Sequence, residues 1–168
     1  MTTSWHIGFI CSGNICRSPY AEGLLRHLAR EKGWGDRLRV SSAGTLGIDD
    51  APADTLTLAL AAERGFQLLS HRSRGVSRPY LENCDVVLCM GRSHVEGLRE
   101  EFPELGARIY LLGSYPHLHL DGDPIPDPVG REVEVFLEVH AAIESALQPV
   151  LVDLRRRFSL DPDPRAGD

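Results

Sequence analysis

The stretch Trp5-His6-Ile7-Gly8-Phe9-Ile10-Cys11-Ser12-Gly13-Asn14-Ile15-Cys16-Arg17-Ser18-Pro19 decides the fold. Trp5 to Ile10 is apolar enough to be buried on both faces, as strands of a parallel sheet are. Cys11 to Arg17 reads as a short loop. Ser18 suits a helix cap, Pro19 suits a first helical turn, and Leu24, Leu25 and Leu28 supply an apolar stripe. A buried strand, a tight loop and a helix in that order open an α/β fold.

The rest of the chain repeats the alternation. Leu38 to Ser42 reads as a second strand, and Pro52 to Arg64 as a helix closed by Gly65. Cys84 to Met90 is a third strand, Ser93 to Glu101 a helix and Arg108 to Leu112 a fourth strand. A loop from Gly113 to Gly130 leads to a last helix, Glu132 to Phe158, which Pro149 is expected to kink or break. The pattern predicts one α/β domain over residues 1–158, with a four-stranded parallel sheet and helices on both faces. The polar, Pro-rich tail from Ser159 to Asp168 is expected to be disordered.

Composition narrows the function. With 168 residues the chain suits one core, and a net charge of −6 argues against a nucleic-acid partner, whose phosphates demand cations. The longest unbroken apolar runs, Ile7 to Cys11 and Val86 to Met90, are strand-length, so no membrane span is expected. Met1 to Trp5 lacks the pattern of a secretory signal, which makes a cytoplasmic location the default expectation. The four cysteines fall in two pairs, Cys11/Cys16 and Cys84/Cys89. Neither has the spacing of a structural zinc site, so no metal is expected, and reduced thiols are the simpler reading.

The chemistry lies in the loop. A cysteine ending a strand is usually an inert core residue, and Gly-Asn is ordinary turn sequence. Here they stand together with Arg17 at the head of a helix. Gly13 and Asn14 can adopt positive φ, which can aim successive backbone N–H groups into one concavity. The helix N-terminus adds its unpaired donors and partial positive charge, and the whole forms a cradle for a phosphate dianion. A thiol at its mouth is favoured as thiolate, the nucleophilic form, and Cys11 holds that place. Arg17 can grip two phosphoryl oxygens with its fork.

This run resembles the active-site loop of the low-molecular-weight protein tyrosine phosphatases, whose pattern is C-x-G-N-x-C-R-S-P. Ser42-Ala43-Gly44-Thr45, His71-Arg72-Ser73-Arg74 and Asp127-Pro128 resemble further landmarks of that family, in its order. The resemblance implies a flavodoxin-like fold of the phosphotyrosine phosphatase I type. It also implies a phosphorylated protein as substrate, a monomer or weak homodimer, and no cofactor. It makes Cys11 the nucleophile that becomes a phosphocysteine, Arg17 the phosphate ligand, and Asp127 the acid for the leaving oxygen and then the base for water, with Asp123 the rival. Ser12, Gly13, Asn14, Ile15, Cys16, Arg17 and Ser18 would bind phosphate. Asn14, Ser18, Ser42 and His71 would support the loop, and Cys16 would protect Cys11 by a reversible disulfide.

The sequence also departs from the family. Val129-Gly130 follows Asp127-Pro128 where tyrosine-specific members carry aromatics, and Leu46 and Ile48 stand where another aromatic is common. A less aromatic pocket suits the family's protein-arginine phosphatases, yet those carry Thr where Ile15 stands, so phosphotyrosine is the preferred substrate. Arsenate reductases share the fold but need further redox cysteines, and Cys84 and Cys89 are predicted on opposite faces of one strand. A binding module without turnover would have no need of Cys11 and Asp127.

Overall fold

A computed structural model describes residues 3–160. Four parallel strands stand in the order β2-β1-β3-β4: β1 Trp5–Cys11, β2 Leu38–Gly44, β3 Val86–Cys89 and β4 Ile109–Leu111. Alternation along each strand sorts its side chains into two cores. Ile7, Phe9, Leu88 and Tyr110 face one layer, covered by α1 Arg17–Glu31, α2 Thr55–Arg64 and α5 Val133–Arg157. Ile10, Val87, Cys89 and Ile109 face the other, covered by α3 Arg78–Asn83 and α4 Arg92–Glu101. The α/β class, the parallel sheet and helices on both faces are as expected.

Several boundaries differ, each for a local reason. Helix α1 begins at Arg17, so Ser18 lies in its first turn instead of capping it, and the Ser18 hydroxyl is released for other work. Helix α2 begins at Thr55 because the Asp54 carboxylate caps it, accepting from the Leu56 N–H at 2.9 Å. Cys84 is not in β3; it closes the unpredicted helix α3, which is too short to show periodicity and is started by the Ser77 cap. Cys84 and Cys89 consequently belong to one core layer, not to opposite faces of a strand.

Helix α5 runs unbroken through Pro149, held by Leu147, Val150, Leu151 and Leu154 on the sheet side. By length and composition alone it is apolar enough to cross a membrane, contrary to the expectation drawn from short apolar runs. Its hydrophobic residues are interspersed with charges, and the buried ones form an amphipathic face. Beyond it, Ser159 turns the chain with φ 51, and the Leu160 N–H bonds the Arg155 carbonyl at 3.0 Å. Leu160 is thereby buried in the core, so the ordered chain passes residue 158. The rest of the tail, 161–168, lies outside the described residues.

Strand β2 lies at the sheet edge, yet its outward carbonyls are occupied. Arg26 donates to Val40 at 2.9 Å and the Arg74 side chain to Ser42 at 3.0 Å. Past Ser42 the segment around Gly75 pairs with Gly44.

Candidate active site

Strand β1 delivers Cys11 to the end of the sheet, where it is buried. The chain then turns through residues 12–16 into α1. The turn depends on Asn14, whose φ of 57 lies in the left-handed region that asparagine tolerates better than most residues. Among the described residues, the backbone N–H groups of Ser12, Gly13, Ile15, Cys16, Arg17 and Ser18 find no acceptor. The Asn14 N–H points at Cys11 Sγ, 3.2 Å away. These groups form an anion cradle around the thiol, closed by the first turn of α1.

Asn14 is also the hub that holds the loop. Fully buried, its Nδ2 donates to Ser18 Oγ at 2.8 Å and to Ser42 Oγ at 2.9 Å. Its Oδ1 accepts from the Arg74 N–H at 3.0 Å, and its carbonyl meets His71 Nε2 at 2.7 Å. Ser18 Oγ, accepting from Asn14, stands 2.9 Å from Cys11 Sγ and can donate its own hydrogen to a thiolate. Gly44 lets β2 come this close, since a Cβ there would stand 2.6 Å from the Ser12 carbonyl oxygen.

Arg17 is buried beneath the acid-bearing loop. It donates to the Ile125 carbonyl at 2.9 Å and lies 3.7 Å from Asp127 Oδ2. Asp127 is half exposed and accepts from the Val129 N–H at 3.1 Å, an Asx-type turn that steadies it at the cleft edge. Asp123 lies apart, its backbone against Gly113. Cys11 and Arg17 therefore lie at the floor of one cleft and Asp127 at its edge, with Asn14, Ser18, Ser42 and His71 packed around the loop.

Burial and then the Asp54 carboxylate push the Cys16 thiol up to about 12, partly offset by a hydrogen bond from Thr57. Cys16 is thus a protonated thiol at neutral pH. Burial likewise raises the Cys84 thiol to about 11 and the Cys89 thiol further.

Arg74, one of the landmark residues, proves to be a backbone donor to Asn14, and two participants were not singled out from sequence: the Ile125 carbonyl and His94. His94 Nδ1 accepts from the Gly91 N–H at 3.0 Å, and its Nε2 lies 2.9 Å from Ser12 Oγ. Burial, followed by the Arg17 charge, lowers this imidazole to about 4, so the ring is neutral at pH 7. A histidine eighty residues from the loop carries no local signal of that contact.

The model of the family described as low molecular weight phosphotyrosine protein phosphatase matches residues 6–160. The low molecular weight protein-tyrosine-phosphatase Wzb of Escherichia coli K12 is 37% identical over 136 residues, covering 80% of this chain and 85% of that protein. A low molecular weight protein-tyrosine-phosphatase of Streptomyces coelicolor is 32% identical over 158 residues, covering 92% of this chain and 96% of its own. Among solved structures, the YwlE arginine phosphatase from Geobacillus stearothermophilus superposes with a TM-score of 0.82 at 25% identity, covering 92% of this chain and 96% of that one. The cradle with Cys11 at its floor and the match over nearly the whole chain lead to one conclusion: this chain belongs to the low molecular weight phosphotyrosine protein phosphatase family.

Proposed function

We propose that this protein hydrolyses phosphotyrosine in protein substrates through a phosphocysteine on Cys11. The observation that carries the reading is the Cys11 sulfur, with Ser18 Oγ at 2.9 Å and the Asn14 N–H at 3.2 Å, at the floor of a cradle of unpaired N–H groups. Both contacts favour a sulfur anion, and the cradle favours the dianion it attacks.

The chemistry follows from those positions. The Cys11 thiolate forms a bond to phosphorus as the bond from phosphorus to the substrate oxygen breaks. Asp127 gives that oxygen its proton. A water molecule then attacks the phosphocysteine while Asp127, now a carboxylate, takes the water's proton. Phosphate leaves and the thiolate returns. In both steps charge gathers on the equatorial oxygens, where the N–H groups and the Arg17 fork meet it. No step calls for a metal or an organic cofactor. The four unpaired thiols suit a reducing compartment, and we place the protein in the cytoplasm.

By structural superposition the tyrosine phosphatase Wzb of Escherichia coli K30 is 33% identical to this chain, against 25% for the Geobacillus arginine phosphatase. Exposed Leu46 and Val129 offer apolar side chains to a substrate ring on the loops where other members carry aromatics. Cys84 and Cys89 are fully buried in the second core, where they cannot relay a disulfide outward as a reductase would need. The test is phosphate release from a phosphotyrosine peptide and a phosphoarginine peptide side by side, with Cys11→Ser as control. Cys11-dependent turnover that favours phosphotyrosine is expected. A preference for phosphoarginine would retain the mechanism and replace the substrate.

A further inference from the structure

Beside the Cys11–Ser18 loop runs a groove of about 460 Å³, from Ser12 along the length of α4 to Phe102. Val76, Leu98 and Phe102 give it apolar walls, and Glu101 stands at its lip with no ion pair among the described residues. Its inner end is a directed polar group. Because His94 Nδ1 accepts from Gly91, the neutral ring carries its hydrogen on Nε2 and donates it to Ser12 Oγ. The Ser12 hydroxyl keeps its own hydrogen for a further acceptor, one residue from the nucleophile.

Gly97 adds an independent observation. It lies inside α4, where glycine is less stable than alanine. No neighbour stands within 4 Å of a Cβ built there, so packing does not require a glycine. What the missing side chain does is leave the groove's wall open.

We propose that this groove is the subsite for the peptide flanking the phosphorylated residue, and that it takes an apolar side chain with a lysine or arginine beside it. The inference rests on the phosphatase reading above. The groove begins at Ser12, the residue after Cys11, so it lies within reach of a peptide whose phosphate is held at Cys11. A peptide carbonyl accepts the Ser12 hydroxyl, the apolar side chain lies on Leu98 and Phe102, and the cation meets Glu101.

The test compares kcat/KM for p-nitrophenyl phosphate, which does not reach the groove, with that for phosphotyrosine peptides bearing Leu-Lys or Asp-Asp on either side. The Leu-Lys peptides should be preferred by about tenfold or more on one side. Gly97→Phe, which projects a ring into the groove from its α4 wall, should bring that preference close to unity and leave p-nitrophenyl phosphate turnover unchanged. Equal rates for both peptides, or a preference that survives Gly97→Phe, overturns the subsite and leaves the phosphatase standing. Failure to turn over p-nitrophenyl phosphate brings down the phosphatase reading and the subsite with it.

Discussion

The Arg17 guanidinium donates to the Ile125 carbonyl at 2.9 Å, so one side chain joins the Cys11–Ser18 loop to the loop that carries Asp127. Ile125 is itself fixed, with its side chain buried and its N–H on the Met90 carbonyl at 2.8 Å. Arg17→Lys keeps the charge but loses the fork that can hold Ile125 and phosphate together. Steady-state kinetics should show kcat reduced by about 100-fold or more, with a smaller change in KM. A loss confined to KM would reduce Arg17 to a simple binding charge.

Asp127 is near enough to Arg17 to be set by it and exposed enough to reach a leaving group. Asp127→Ala should slow hydrolysis of alkyl and unactivated aryl phosphates by about 100- to 1,000-fold. Turnover of p-nitrophenyl phosphate, whose leaving group departs without a proton, should fall far less. Equal losses on both would transfer the acid role to Asp123.

Asn14 satisfies three side-chain hydrogen bonds in a fully buried place. Asn14→Ala removes them and forces an alanine to φ 57, at a cost of about 2–4 kcal/mol. Urea denaturation would measure it. Asn14→Gly also removes the hydrogen bonds but adopts φ 57 without strain, so it should lie between parent and Asn14→Ala; an alanine variant as stable as the parent would show that neither the bonds nor the strain matters.

The raised thiol of Cys16 would make the expected protective disulfide with Cys11 pH-dependent. After peroxide oxidises Cys11 to the sulfenic acid, Cys16 must attack as thiolate, and its pKa of about 12 leaves little of that form at neutral pH. The closure rate should therefore rise about tenfold per pH unit from neutrality upward. Mass spectrometry of quenched samples follows it. A rate independent of pH, or full recovery by dithiol in Cys16→Ser, would remove Cys16 from the protection of Cys11.

Three buried imidazoles tie stability to pH, and burial lowers His6 among them. His94 and His140 are both lowered to about 4, chiefly by burial, from 6.5. Between those values the unfolded chain binds more protons, so stability is full above about pH 6.5 and falls as pH drops toward 4. Each group contributes up to about 1.4 kcal/mol per pH unit across that window. His140 stacks on Tyr20 at 4.0 Å, and its Nδ1 has no hydrogen-bond partner. His140→Phe keeps the stacking and should flatten the slope in urea midpoints between pH 6.5 and 4. An unchanged slope would mean that His140 is not one of the titrating groups.

The fold was legible where the signal is local and repeated. β1 and β3 announce themselves by unbroken apolar runs, and Gly65 ends α2 with φ 109 as a glycine after a helix should. Helix α3 was missed because six residues show no period, although Ser77 and Pro79 mark its start. Pro149 was misjudged because packing along α5 outweighs one absent N–H. In the site, Cys11 to Ser18 could be read because a strand, a turn and a helix start are neighbours in the chain. The partners of Asn14 and Ser12 come from Ser42, Arg74 and His94, and only the folded sheet brings those distant residues together.

Arg26 and Arg74 bear on the protein's solubility. An edge strand with free carbonyls is a template on which another chain can grow, and aggregation begins there. On β2 two guanidiniums occupy those carbonyls, and Arg74 does so from the same residue whose N–H holds Asn14. The contact that shapes the phosphate cradle thus also places the side chain that keeps a growing fibril from docking beside it.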